Sequence, residues 1–340
     1  MKKVNNKTLA FLTLLLIFLI IIIATYSVFS KKTKKNKVQT KEASKIISYP
    51  KTGKARLDSL LACIPDKGEP QDTNFVKLLS NISHEYHTID QEKGIEYAQR
   101  ALKLAEKLNF KEYLPDIYMV WGNNLNMSYN ILGAIIKYNQ ALKLFEDNYA
   151  SRGVSACLTN IGYAYSRMGD TTKAMEYWNK SLENSKKYDY KDKIAFVYSK
   201  IAEMYSDFGR YQLSIEYYNK LISFSDANDL KPDLGFAYGA LGWIYNQISN
   251  YPKALEYYEK ARKVYIEIGN SEREAHIIEN IGGIFDSQGD NNKAIEYYLQ
   301  SLQINKELDF KKGVAFDYGS IAQSYFFLHN FPKMFELLNQ

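Results

Sequence analysis

Two histidines three residues apart, His84 and His87, are the first place in this 340-residue chain where side-chain type and spacing suggest chemistry. On one helix face they could share a metal ion, but no third ligand stands near them, and zinc sites use at least three protein ligands. His276 and His329 are isolated. Asp286-Ser287-Gln288-Gly289-Asp290-Asn291-Asn292 has the oxygen-rich composition of a calcium loop. It lacks the closing bidentate Glu at the required distance, and turn chemistry accounts for the same residues. Cys63 and Cys157 have no motif spacing and both sit among apolar residues, which reads as two buried thiols. The chain contains no glycine-rich phosphate loop, no Gly-x-Ser-x-Gly elbow and no Cys-x2-Cys pair. No catalytic, cofactor-binding or metal site is expected, and the chain reads as a binder, not an enzyme.

The 29 tyrosines could form a stacking platform for nucleic acid, but charge argues otherwise. Residues 1–54 hold 12 Lys and one acid, Glu42, whereas the remainder holds 32 basic against 37 acidic side chains. Nucleic-acid binding needs a cationic face on the folded part, and here the folded part is mildly acidic. Most of these tyrosines, including Tyr177, Tyr217, Tyr218, Tyr257, Tyr258, Tyr297 and Tyr298, fall instead at recurring positions that suit packing between helices.

The recurrence has a fixed period of 40 residues. Asn160-Ile161-Gly162, Lys200-Ile201-Ala202, Ala240-Leu241-Gly242, Asn280-Ile281-Gly282 and Ser320-Ile321-Ala322 are each followed by an aromatic at one offset: Tyr165, Tyr205, Tyr245, Phe285 and Tyr325. A second signal, Lys173 to Trp178, returns as Leu213 to Tyr218, Lys253 to Tyr258 and Lys293 to Tyr298. Bulky residues three and four apart mark helices. Met168-Gly169-Asp170, Phe208-Gly209-Arg210 and Gln288-Gly289-Asp290 mark the turn between the two helices of a unit, and Pro252 and Pro332 stand just after it in two other units. Small residues on both helices, Gly162 with Ala174, Gly242 with Ala254 and Gly282 with Ala294, allow close backbone approach while Tyr and Trp fill the space. The expected fold class is all-α, a solenoid of antiparallel helix pairs in which each unit buries its apolar face against its neighbours. Ala55–Ile64 reads as one further helix stopped by Pro65, and Asp66–Thr73 as a turn-rich connection.

This pattern resembles the tetratricopeptide repeat, whose signature runs aromatic-x2-Leu-Gly-x2-Tyr and then Ala-x3-Phe. Two features depart from it. The opening Trp is replaced by Leu158, Tyr198, Tyr238, Ile278 and Tyr318, and the period exceeds the usual 34; the added residues, as in Lys187-Tyr188-Asp189-Tyr190-Lys191, are expected to lengthen the helix ends. The resemblance implies a right-handed superhelix over residues 55–340, about seven units with the last incomplete. It also implies a concave groove lined by the first helix of each pair. Side chains one step off the buried stripe would face that groove: Asn123, Asn126, Thr159, Tyr163, Glu203, Trp243, Gln247, Glu279, Phe316 and Gln323. Amides, acids and aromatics suit an extended peptide or protein partner. The set lacks the Lys, Asn and Arg cluster of a carboxylate clamp. The unfinished last hairpin adds an apolar end suited to homodimerisation or docking.

Leu57-Asp58-Ser59-Leu60-Leu61, Asp72-Thr73-Asn74, Lys77-Leu78-Leu79 and Ile89-Asp90-Gln91-Glu92-Lys93-Gly94-Ile95-Glu96-Tyr97-Ala98 are similar to the sensor regions of bacterial signalling proteins, in which such arrays accompany a histidine kinase, a helix-turn-helix regulator or a cyclase. No output module is present in this chain. Two functions are therefore expected: a non-catalytic, membrane-tethered interaction scaffold or sensor, or the N-terminal sensor portion of a multidomain signalling protein. The tether is the apolar run Leu9–Phe29, long enough for one crossing, between a basic tail at 1–8 and a Lys-rich linker at 30–54. A retained anchor is expected over a cleaved signal, giving a single-pass protein of the bacterial inner membrane. The lysines after the run place the array inside by the positive-inside tendency, whereas the sensor resemblance places it outside.

Overall fold

The computed structural model describes residues 53–65 and 68–338. The apolar run Leu9–Phe29 and nearly all of the Lys-rich linker lie outside these residues. Among the described residues no helix is long and apolar enough to cross a membrane.

All the regular structure described is helical. A short α1, Gly53–Leu61, is followed by seven hairpins: α2 Thr73–Tyr86 with α3 Gln91–Lys107, α4 Leu114–Met127 with α5 Ile131–Asp147, α6 Ser151–Arg167 with α7 Thr171–Lys187, α8 Lys191–Asp207 with α9 Tyr211–Ala227, α10 Lys231–Gln247 with α11 Tyr251–Glu267, α12 Ser271–Ser287 with α13 Asn291–Glu307, and α14 Lys311–Phe327 with α15 Phe331–Leu338. From α5 to α14 each helix has 17 residues and each connection is three residues long, whether inside a hairpin or between hairpins. The backbone thus repeats every half-period although the side chains repeat every 40 residues. The residues added to the usual repeat have gone into the helices, each about 25 Å long at 1.5 Å per residue.

The uniform turn has a local cause. After α6, the amide of Gly169 donates to Ser166 O at 2.9 Å and that of Asp170 to Tyr165 O at 3.0 Å, closing a Schellman motif with Gly169 in the left-handed region at φ 80°. Asp170 then caps α7, its carboxylate accepting from the Lys173 amide at 3.0 Å. Three residues therefore end one helix and begin the next. Three of the connections between hairpins copy this with aspartate in place of glycine, Asp189, Asp229 and Asp309 taking φ of 54°, 54° and 50° at the equivalent place, whereas the α11–α12 connection uses Gly269 at φ 66°.

Close approach within a hairpin is visible at the small positions. A Cβ on Gly162 would lie 2.6 Å from Trp178, and on Gly242 2.5 Å from Tyr258, so the buried ring occupies the place a side chain would take. Three hairpins lack that glycine, with Ser83, Ala202 and Ala322 in its place, and two of these use a hydroxyl instead. Ser83 Oγ donates to Gly94 O at 2.7 Å, and Ser214 Oγ to Ala202 O at 2.8 Å, each tying one helix of the pair to the other. The apolar clusters bridge hairpins: Ala174, Trp178 and Leu182 of α7 pack with Ile194, Val197, Ile201 and Met204 of α8, and α11 packs on α12 through Tyr258, Tyr265, Ile277 and Ile281. Each unit completes its core only with its neighbour.

Two expectations are corrected at the front. The first helix ends at Leu61, short of Ile64, because its last turn tightens: Cys63 and Ile64 donate three residues back, to Leu60 O and Leu61 O. Cys63 in this turn is exposed, not buried, since among the described residues α1 packs chiefly on α2. Cys157 is buried as expected, and burial pushes its thiol up.

Candidate partner-binding face

Direct contacts between alternate helices run from first helix to first helix, α2 to α4, α6 to α8, α8 to α10 and α10 to α12. The first helices are therefore crowded into one layer. On that layer the residue thirteenth in each 40-residue register is Asn123, Tyr163, Glu203, Trp243, Gly283 and Gln323, and two helical turns earlier stand Asp116, Ala156, Phe196, Phe236, His276 and Phe316. Residues seven apart share a helix face. These two columns form a face running along the array.

Of the ten residues expected to line a groove, Tyr163, Trp243, Gln247, Phe316 and Gln323 are exposed, and Asn123, Glu203 and Glu279 are half-buried. Asn126 and Thr159 are corrected: both are buried, at 4% and 2% exposure, and their polar atoms are consumed inside the protein. Thr159 Oγ1 donates to Ser155 O at 2.8 Å and lies 2.8 Å from Ser181 Oγ, while its carbonyl accepts from Trp178 Nε1 at 3.1 Å. Asn126 Oδ1 accepts from Arg167 Nη1 at 3.0 Å. The error came from the angular step: Asn126 lies on the flank of α4 that meets α6 of the next hairpin, and Thr159 on the flank of α6 that meets α7, its own hairpin partner.

The remaining residues form connected patches. Lys200 Nζ is 2.5 Å from Glu203 Oε2 and lies over the rings of Tyr163, at 5.7 Å, and Phe196, at 5.2 Å. This places two aromatics, a cation and a carboxylate on the facing surfaces of α6 and α8. Trp243 makes an edge contact with Tyr211 at 6.4 Å, which fixes the indole while leaving 43% of the residue accessible. Asn123 Oδ1 accepts from Tyr138 OH at 2.9 Å and from Asn160 Nδ2 at 3.3 Å. Glu279 Oε2 stands 3.2 Å from His276 Nδ1. Fixed rings with exposed faces, separated by amide and carboxylate groups, can hold apolar and polar side chains of a partner in turn.

Phe196, Phe236 and Lys200 were missed by the sequence reading. The signal that finds them is the spacing of seven back from Glu203 and Trp243, and three back for the lysine. The other candidate chemistries resolve into structure. The His84 and His87 rings stack at 5.0 Å, and His87 Nδ1 contacts the His84 carbonyl. Among the described residues no three His, Cys, Asp or Glu side chains are grouped to hold a metal ion. The segment 286–292 is the α12–α13 turn: Gly289 has φ 79°, Asp290 caps α13, and Asp286 accepts from Tyr298 OH at 3.2 Å and from Ser324 Oγ at 2.9 Å. Tyr177, Tyr257 and Tyr297 stack on Tyr165, Tyr245 and Phe285 of the same hairpins at 5.3–5.5 Å, so these rings serve packing.

The tetratricopeptide-repeat family model matches residues 154–227, 193–267 and 233–307, which together span α6 to α13. No curated protein sequence matches the chain. Solved structures that resemble it include the apo form of RapI, at 17% identity and TM-score 0.59, covering 83% of this chain and 77% of that one. A signal-transduction ATPase with numerous domains and a tetratricopeptide-repeat sensor, from Pyrococcus horikoshii, aligns at 20% identity and TM-score 0.55 over 74% of this chain but 41% of its own. The Rap conjugation gene regulator of plasmid pLS20, in complex with the Phr* peptide, aligns at 14% identity and TM-score 0.51, covering 78% and 73%. At these identities the likeness is one of fold. Residues 154–307 match tetratricopeptide repeats, and the described residues form the helical solenoid such repeats build.

Proposed function

We propose that this tetratricopeptide-repeat protein is a non-catalytic interaction scaffold or sensor that holds a peptide or protein partner along the first-helix face, with the array coiling right-handedly as such repeats do. The observation that carries the reading is the row of accessible aromatics on that face, Tyr163, Phe196, Trp243 and Phe316, at 37%, 43%, 43% and 57% exposure. Large rings held in place but left partly uncovered are what a binding surface needs, since aromatic anchors carry a disproportionate share of binding free energy. The Phr* peptide complex of a protein with this fold supports a peptide as the class of ligand. The proposed tether is the run Leu9–Phe29, making the protein a single-pass protein of the bacterial inner membrane. The signal-transduction ATPase supports the second reading, in which this array is the sensor portion of a longer signalling protein.

The test is capture by the full chain from native membranes after cross-linking. Trp243→Ala, or Glu203→Lys combined with Glu279→Lys, is expected to abolish recovery of the partner while the helical circular dichroism signal stays unchanged. A partner recovered equally by every face variant and lost only when Met334–Gln340 is removed would move the site to the C-terminal hairpin.

A further inference from the structure

One position in the register breaks the pattern of the others. Ile117, Cys157, Val197, Ala237 and Ile277 stand 40 residues apart at the same place in their first helices, all apolar and at most 4% exposed. The next member of the column, in α14, is Asp317, at 0% exposure. A carboxylate in a slot built for methyl groups loses its hydration and must find donors or a proton.

The donors are too few. Asp317 Oδ2 accepts from Asn305 Nδ2 at 2.7 Å and Ser301 Oγ at 3.2 Å, both on α13. The same two groups reach Glu279 Oε1 on α12, each at 3.2 Å. Ser301 has one hydroxyl proton and can give it to one carboxylate at a time. Asp317 Oδ1 is buried and meets no hydrogen-bonding partner among the described residues. The charged and titratable groups on the helices packed around it do not remedy this. His276 of α12 faces the other oxygen of Glu279; Asp286 of α12 is held by Tyr298 of α13 and Ser324 of α14; Lys306 of α13 lies over the Tyr318 ring and Lys333 of α15 over the Tyr325 ring.

We propose that Asp317, buried beside the Glu279 carboxylate and sharing its donors, is a proton-binding site that couples the packing of α14 against α12 and α13 to pH. Burial is the main cause; opposed by the Asn305 amide, reinforced by the charge of Glu279 and opposed again by the Ser301 hydroxyl, it leaves the Asp317 carboxyl raised to about 6. In the unfolded chain it titrates at its ordinary 3.8, so between the two values the folded state holds more protons. The stability contributed by this site is complete below the unfolded value and is lost as pH rises through about 6. Because Glu279 and Phe316, next to Asp317, stand on the proposed face, partner capture there would share this dependence. That last step rests on the proposed function; the proton uptake does not.

Hydrogen exchange on the full chain tests it, with protection factors for amides of α14 measured against those of α10 at about pH 5 and about pH 7.5. In the wild type the α14 factors are expected to fall about tenfold or more at the higher pH, one pKa unit being tenfold, while α10 stays level. Asp317→Asn should remove the fall and Glu279→Gln should reduce it. Equal protection at both pH values, or a fall that survives Asp317→Asn, would overturn the proposal. A carbon-13 carboxyl titration of wild-type Asp317 needs no variant: a midpoint close to 6 supports the site, and one at or below the ordinary 3.8 refutes it.

Discussion

A side chain added to Gly242 meets Tyr258 Cδ1 at 2.5 Å, yet the corresponding pair in the preceding hairpin is Ala202 with Tyr218, both buried. A methyl group is therefore accommodated by a small shift of the ring, and the gain in helix propensity from Gly to Ala, about 0.8–1 kcal/mol, works in its favour. Gly242→Ala is expected to be close to neutral. Gly242→Leu exceeds what the ring can yield and should lose about 1–3 kcal/mol or more in urea unfolding. A neutral leucine would mean that the hairpins are not held by close approach at this position. Spacing alone made these small positions legible, because steric fit repeats with the backbone. Asp317 was not legible: its burial follows from the register of a column, and a lone Asp in a helix otherwise reads as a solvated side chain. Cys63 failed for the converse reason, since apolar neighbours in sequence do not establish a neighbour in space.

At the level of elements, the helices were readable from periodicity, but the half-period of the backbone was not. Glycine marks the turns after α6, α8 and α12, whereas Tyr129, Ser249 and His329 occupy the same left-handed position in other hairpins, at φ of 64°, 58° and 55°. The local signal at these turns is instead the next residue, Asn130, Asn250 or Asn330, whose side-chain oxygen caps the following helix by accepting from the Gly133, Lys253 or Lys333 amide. Ser249→Gly relieves the left-handed strain and should stabilise by about 0.5–1 kcal/mol, the greater freedom of unfolded glycine limiting the gain. The measurement is the urea midpoint, and a destabilised variant would show that the Ser249 side chain is needed where it stands. In the α6–α7 turn, Asp170→Ala removes the acceptor for the Lys173 amide and should cost about 1 kcal/mol, seen as faster exchange in the first turn of α7. The register of the first helices likewise decided which of the residues expected on a groove are accessible: those in the thirteenth column are exposed or half-buried, while Thr159 and Asn126 are inside.

From α2 to α15 the described residues form a row of interlocked hairpins, each core shared with the next, so damage at one position spreads only to its neighbours. The proposed tether belongs at this scale too. If Leu9–Phe29 spans a bilayer, the protein should remain with membranes after a carbonate wash, because apolar burial and not charge holds it. Recovery of a mature chain beginning near Lys31 would identify a cleaved signal instead. The proposed site for partners is the first-helix face. A photo-reactive amino acid in place of Phe196 or Trp243, compared with one in place of Leu299, an exposed residue of the second helix α13, reports this directly. A cross-linked partner is expected from positions 196 and 243 and none from 299; a partner captured from 299 alone would rule out the first-helix face.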